Sequence, residues 1–392
     1  MDFRFTEQEE ALRQEIGDFL ERELPPGVEF TGVSANYELR KEFNRKVGER
    51  GWLAMAWPEE YGGKEASPFQ QIVFMEEMAY HRAGGMSVGA TWVGPTILMH
   101  GTEEQKKRYL PGIASGEIEV CLGYSEPEAG SDLASLRTRA VEGADCYVIN
   151  GQKVWTSLAQ FADYCWLAAR TDPDVPKHRG ISMFMVDMKT PGITIHPLYD
   201  IRGVHIFNEV FFDNVRVPKD CLIGGKNRGW YIIMTALNIE RTTWGGGANN
   251  AAVCQRLLDE IVEYVNETKV DGKALAEDPL IQNKLAQIAI EIEITRLLAY
   301  RSAWMQTKGI VPIHESSISK VYGSEMQKHL GKMGMEILGL YGQLQADSKW
   351  SFLKGHLLEM FLFSIAWSIG AGPDEIEKNM IATRALGLPR QG

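Results

Sequence analysis

Two short stretches carry residue types suited to holding a ligand. The first is Tyr124-Ser125-Glu126-Pro127-Glu128-Ala129-Gly130-Ser131-Asp132. Pro127 and Gly130 are expected to bend the backbone sharply and let it approach a ligand closely. Ser125 and Ser131 set short hydroxyls on either side of that bend. Such a loop also serves as a plain turn. The second stretch is Trp155-Thr156-Ser157, at the end of an expected strand. An indole with hydroxyls nearby, facing a loop of hydroxyls and backbone N–H groups, suits a flat aromatic ligand with a polar edge.

Other chemistries are not suggested. Cys121, Cys146, Cys165, Cys221 and Cys254 form no Cys-x-x-Cys pair, and the eight histidines show no metal-ligand spacing. We expect buried thiols in a reducing compartment and no metal. A net charge of −11 argues against nucleic acid or an anionic membrane as partner. Met1-Asp2-Phe3-Arg4 shows no apolar signal core, and the apolar run from Met360 to Ile369 is too short to span a bilayer. The expectation is a cytoplasmic protein.

The elements that position these stretches fall into three segments. Thr6-x-x-Glu9 reads as a capping box opening a helix with Leu12, Ile16 and Phe19 on its buried face; Pro25-Pro26 ends it. Helices are expected over 37–51, 68–81 and 102–113, with a Gly-rich apolar piece over 84–100 between the last two. From Val120 the pattern changes to period two. Asn150-Gly151 reads as a hairpin turn between 146–149 and 152–155. Further strands are expected over 164–170, 181–188, 193–198 and 209–217. After Gly224-Gly225 long helices return, with Ile281, Leu285, Ile288 and Ile292 as a core stripe at helical spacing. The chain reads as an α+β multidomain protein. It has an N-terminal α-helical domain (1–119), a middle β-barrel or sandwich domain (120–223) and a C-terminal four-helix-bundle domain (224–392).

With these three segments in place, the sequence resembles the acyl-CoA dehydrogenase family over essentially its whole length. The resemblance rests on Tyr124-Ser125-Glu126-Pro127-x-Ala129-Gly130-Ser131-Asp132, Asn150-Gly151-x-Lys153-x-Trp155-x-Ser157 and Phe211-x-x-x-x-Arg216-Val217-Pro218. The ending Gly387-Leu388-Pro389-Arg390 is similar to one bacterial branch. The resemblance implies bound FAD and α,β-dehydrogenation of an acyl-CoA thioester to the 2-enoyl-CoA. A carboxylate would take the proton, and hydride would pass to flavin N5. It places Leu122, Tyr124 and Ser125 at the flavin ring edge, Gly130 and Ser131 in the cofactor loop, Trp155 over the ring and Ser157 at its polar edge. Ser131, Arg241, Ala371 and Gly372 fall on the substrate side. Electron-transfer flavoprotein as acceptor and a homotetramer are implied as well.

The base is expected at Glu240. Many members carry it as a Glu before Gly-Thr near the C-terminus, where this chain has Ala371-Gly372-Pro373. Another branch carries a Glu directly before an Arg on an earlier helix, matched here by Glu240-Arg241. Asp374 and Glu375 are read as complements to a helix dipole. Three departures stand out. Thr268 and Asp271 occupy the positions of an Arg and a Phe that hold the FAD diphosphate, and Glu336 replaces a Gln. Gly245-Gly246-Gly247 serves either close helix packing or space for a bulky, branched or ring-bearing acyl group, with Trp92 and Trp244 as pocket walls. The rival functions are a flavoprotein oxidase or monooxygenase on the same fold, and a non-catalytic flavin-binding subunit.

Overall fold

The computed structural model describes residues 4–30, 36–84, 87–243 and 247–389, the side chains of 240–243 excepted. The side chains of Glu240 and Arg241, together with Trp244, Gly245, Gly246 and Arg390, therefore lie outside the described residues. Helical, β-sheet and helical segments follow one another in the expected order.

The first segment contains α1 (Glu7–Glu23), α2 (Tyr37–Glu49), α3 (Pro68–Tyr80), α4 (Gly94–His100) and α5 (Glu103–Ala114). α1, α3 and α5 each begin on a reciprocal capping box: Thr6 with Glu9, Ser67 with Gln70, and Thr102 with Gln105. Each box satisfies N–H groups that a helix start otherwise leaves unpaired. The Gly-rich piece resolves into a wide π turn, Gly89–Val93, running into α4. Gly94 is required there, because a Cβ would enter the Trp57 indole.

The middle segment is a single eight-stranded sheet. Its strands are β1 (Val120–Gly123), β2 (Arg139–Glu142), β3 (Cys146–Lys153), β4 (Tyr164–Arg170), β5 (Ile181–Asp187), β6 (Ile193–Tyr199), β7 (His205–Pro218) and β8 (Leu222–Ile223). They lie in the order β6-β7-β3-β2-β4-β5-β8, with β1 parallel to β4. Ile149, Cys165, Leu167, Phe184, Val186, Val210 and Val215 form its core.

One expectation fails here. Asn150-Gly151 is not a hairpin turn; it lies inside β3, which pairs with β7 on both sides of an irregularity at this point. The glycine answers to close approach: a Cβ at Gly151 would lie 2.6 Å from the Thr138 Cα. Asn150 is held by Asn214, whose N–H donates to its Oδ1 at 2.8 Å.

The last segment holds α6 (Gly229–Thr243), α7 (Ala248–Glu267), α8 (Pro279–Thr307), α9 (Ile313–Leu338), α10 (His356–Trp367) and α11 (Asp374–Met380). The Ile281, Leu285, Ile288 and Ile292 stripe packs in the bundle core with Leu257, Ile261 and Leu330, as expected. Between α7 and α8 lies a small hairpin, β9 (Lys269–Val270) and β10 (Lys273–Ala274). Its turn, Asp271-Gly272, has φ of 51° and 82°, the two positive values a two-residue hairpin turn needs.

The chain packs as two compact units. One comprises residues 1–29, 67–83 and 241–392; the other comprises 30–66 and 84–240. In the first unit α1 packs on α3, and α3 on α7 and α8.

Candidate functional site

In the unit of residues 30–66 and 84–240, β1 delivers the first loop. Parallel pairing with β4 fixes Leu122 opposite Trp166, and the Trp166 Nε1–H donates to the Tyr124 hydroxyl at 2.9 Å. The chain then turns tightly. Glu126 and Ala129 exchange backbone hydrogen bonds of 3.0 and 3.1 Å across Pro127-Glu128. Gly130 is not what makes the bend. Its φ is not positive, and a Cβ built on it would meet nothing within 4 Å. It leaves the outer side of the loop open.

The second loop follows β3. Trp155 and Leu158 both have φ of 60°, a left-handed backbone that costs non-glycine residues energy. The fully buried Asn208 holds this shape. It donates from Nδ2 to Thr156 O at 3.0 Å and Gln160 Oε1 at 2.6 Å, and its O accepts from the Thr156 N–H at 3.1 Å. His205 Nε2 lies 2.8 Å from Asn208 Oδ1 and fixes the amide in turn. The Trp155 ring stands 61% exposed, edge-on to Phe207.

The two loops meet. Val154 N–H donates to Ser125 O at 2.9 Å. Beneath that bond lies Lys153, fully buried, whose ammonium donates to Tyr124 O at 3.0 Å and Glu126 Oε1 at 2.8 Å. Glu126 also accepts from the N–H groups of Arg137 (2.6 Å) and Thr138 (2.9 Å). Burial alone would raise the Glu126 pKa, but Lys153 and the two N–H groups outweigh it and hold the carboxyl below its usual value. Burial pushes the Lys153 ammonium below its ordinary value, against the pull of Glu126.

Tyr124, Ser125, Trp155 and the loop carrying Ser157 are thus brought together, with half-buried Leu122 two residues before Tyr124. Among the described residues no hydrogen bond uses the hydroxyls of Ser125, Ser131 or Ser157. The Thr156 hydroxyl is buried without a partner there. An open indole beside unengaged hydroxyls fits the edge of a flavin ring. Asp132, next to exposed Ser131, is held by Lys177 at 2.7 Å. Glu240 falls in the last turn of α6. That helix is tied to the end of α4 by His100 Nε2 and Thr235 Oγ1, 3.2 Å apart. Burial, and then the Arg228 guanidinium, hold His100 below the usual histidine value.

In the other unit, the loop of Ala371 and Gly372 is pinned from below. Ala371 has φ of 55° and Gly372 of 91°. A Cβ on Gly372 would come within 2.5 Å of Glu377 Oε1. Asp374 and Glu377 are buried. The Asp374 carboxylate accepts from Lys320 Nζ (2.6 Å) and Ser324 Oγ (2.9 Å); Glu377 accepts from Ser317 Oγ (2.5 Å). Asp374 is therefore more than a complement to a helix dipole. The signal for this knot was legible: Ser317, Lys320 and Ser324 form a polar stripe at helical spacing on α9, matched by acids three apart on α11.

The departures also find places within this unit. Glu336 is exposed and paired with Lys284 at 2.6 Å, whose hydrogen bond holds it below the usual carboxylate value. Thr268 precedes the β9–β10 hairpin and Asp271 makes its turn. Gly247, with φ of 89°, caps α7, and a Cβ there would lie 2.7 Å from Ser319 Oγ. Close packing therefore explains that glycine. In the unit that holds the two loops, Trp92 is 6% exposed, a core residue. No group of three or more potential metal ligands occurs among the described residues.

Three consecutive segments match the family domains described as "Acyl-CoA dehydrogenase, N-terminal domain" (residues 6–117), "Acyl-CoA dehydrogenase, middle domain" (121–215) and "Acyl-CoA dehydrogenase, C-terminal domain" (227–386). Acyl-CoA dehydrogenase FadE26 of Mycobacterium tuberculosis is 35% identical over 403 aligned positions, covering 100% of this chain and 99% of the relative. A solved structure described as "Tcur3481-Tcur3483 steroid ACAD" superposes with a TM-score of 0.90 at 35% identity, covering 100% of both chains. The ChsE4-ChsE5 complex from Mycobacterium tuberculosis does so at 0.91 and 36%, also covering 100% of both.

Proposed function

The chain belongs to the acyl-CoA dehydrogenase family, an FAD-dependent family of oxidoreductases, and on that premise we propose that it desaturates a bulky acyl-CoA thioester with Glu240 as the base. Bound FAD supplies the acceptor for the hydride. Ser125 and Ser157 hold the polar edge of the flavin, Trp155 covers its face, and Leu122, Tyr124 and Gly130 complete the cradle. The single observation that carries this reading is the junction of the two loops, which leaves hydroxyls and an open indole free for a ligand.

Glu240 removes the proton beside the thioester carbonyl. Its position in the last turn of α6 suits a base, because the negative end of a helix dipole disfavours the carboxylate and makes it a better proton acceptor. Ala371 cannot take a proton. Ser131, Arg241, Ala371 and Gly372 are the substrate contacts carried over by motif position. The bulky acyl group, branched or ring-bearing, is supported by the likeness to a steroid acyl-CoA dehydrogenase. Gly247 adds nothing to that point, since Ser319 fills the space beside it.

The test is anaerobic bleaching of the flavin against straight, branched, alicyclic and steroid-like acyl-CoA thioesters. Fastest bleaching by a bulky thioester supports the proposal; fastest bleaching by a short straight chain removes the bulky substrate. Rapid recovery of colour in air points to an oxidase, and slow recovery to electron-transfer flavoprotein as acceptor. Yellow protein that no thioester bleaches marks a non-catalytic subunit.

Three domains (1–119, 120–223 and 224–392), a cytoplasmic location and a homotetramer complete the proposal. Ile290, Ile294 and Leu297 are exposed at helical spacing on α8, an apolar stripe that association would cover. The two solved neighbours, each named with two components, make a second kind of chain the alternative partner. Native mass spectrometry separates the two: a single species of four identical chains, or a complex that forms only with another chain.

A further inference from the structure

The buried pair Lys153–Glu126 is the feature of the sheet unit that the proposed chemistry leaves unused. It is an expensive feature. Charges taken out of water lose their hydration, and replacing a buried ion pair with apolar residues is often neutral or stabilising. Stability alone is thus a weak reason for it, and its placement suggests another.

Lys153 ends β3, immediately before the loop of Trp155 and Ser157. Its ammonium reaches back to the other loop on both sides of Ser125: to the carbonyl of Tyr124 and to the side chain of Glu126. Ser125 is bound directly as well, through its own carbonyl, to Val154 N–H. Three consecutive residues of one loop are therefore tied to two consecutive residues at the root of the other. The carboxylate end is anchored separately, to the N–H groups of Arg137 and Thr138 just before β2. An apolar side chain at 153 could fill the volume, but it could not bind the Tyr124 carbonyl or fix the direction of the Glu126 carboxylate.

We infer that Lys153, through Glu126, is a positioning residue that sets the register between the Ser125 loop and the Trp155–Ser157 loop, and so shapes the flavin-ring site. This rests on the proposed placement of the flavin between those loops. The pair does not touch the reacting atoms; it fixes where the hydroxyls and the indole stand. The consequence is separable from folding. Removing both charges together can leave the sheet folded, at some cost in stability, while the two loops lose their common anchor.

The experiment uses the full chain with FAD and compares wild type, the double variant Lys153→Met/Glu126→Leu and the single variant Glu126→Gln. Melting temperature of the apoprotein, FAD dissociation constant and the flavin visible spectrum are measured. The double variant also leaves the N–H groups of Arg137 and Thr138 and the Tyr124 carbonyl without these partners, so we expect a folded protein with a lowered melting temperature, FAD affinity weaker by about tenfold or more, equivalent to about 1.4 kcal/mol, and an altered flavin band. Folded double variant with unchanged affinity and spectrum overturns the inference. If the double variant does not fold, Glu126→Gln decides: it keeps an acceptor for Lys153 but loses one for the Arg137 N–H, so weaker FAD binding with an altered flavin band supports the inference, and unchanged binding and spectrum overturn it. Wild type that binds FAD but is bleached by no thioester would defeat the proposed reaction without touching this result, because the readouts are binding and spectrum.

Discussion

Two loops of this chain solve a similar backbone problem with different ends. The Trp155–Ser157 loop and the Ala371–Gly372 loop each hold a non-glycine residue in left-handed conformation, Trp155 at φ 60° and Ala371 at φ 55°. Each rests on buried polar groups: Asn208, Lys153 and Glu126 below the first; Asp374, Glu377, Ser317 and Ser324, with the partly buried Lys320, below the second. The first leaves an open ring and the unengaged Ser157 hydroxyl at its surface. The second presents a methyl group and backbone. Strain of this kind persists only where the surroundings over-determine it. The lesson is that the second loop keeps its built shape although the residue at its centre can carry no proton, so shape and acid–base chemistry are separable in this fold.

The sharpest way to break that comparison is Glu240→Gln. It should slow flavin reduction by acyl-CoA by about 10³-fold, within the usual range for a lost general base, with FAD still bound. Wild-type bleaching by this variant would return the base to some other carboxylate. Next in size is Asp374→Ala, which strips Lys320 of its buried partner. It should cost about 3 kcal/mol of stability in denaturant titration. A negligible cost would show that the knot below Ala371 holds nothing.

A pH series on Glu126→Gln sharpens the other side. Glu126 is held below its ordinary value of 4.5 in the folded chain. Its carboxylate therefore contributes stability in full above the unfolded value, and the contribution is lost as pH falls through the lower folded value. The stability gap between wild type and variant should stay constant from neutral pH down to the carboxylate range and narrow below it; a gap that widens in acid contradicts this sign. The smallest effect is expected from Ala371→Gly. Relief of the left-handed strain should stabilise the chain by about 1 kcal/mol, read as a shift in denaturation midpoint, with turnover kept.

Much of the fold was legible in the sequence. Strand β4 appears at the expected residues 164–170, and the α8 stripe is core. Capping boxes and periodicity report local geometry, which neighbours in sequence fix. Asn150-Gly151 misled because the same dipeptide permits both a turn and a close backbone approach, and only the partner strand chooses. Gly130 misled in the opposite sense, since Pro127-Glu128 and the Glu126–Ala129 bonds already make the bend. Gly247 had two readings, and the position of Ser319 selected packing.

The sequence by itself determined the family, the order of helix, sheet and bundle, and the residue types offered to a flavin, because motifs and periodicity are local and survive without a partner. Tertiary structure alone decided which charges are buried together. Lys153 and Glu126 stand 27 residues apart in the chain, and Asp374 is 54 residues from Lys320. In sequence Lys153 and Glu126 carry no mark of their pairing, and the polar stripe on α9 and the acids on α11 do not say that they meet. Burial takes the solvent away, and a charge without solvent must find a partner, so the fold sets both its neighbour and the loop it holds.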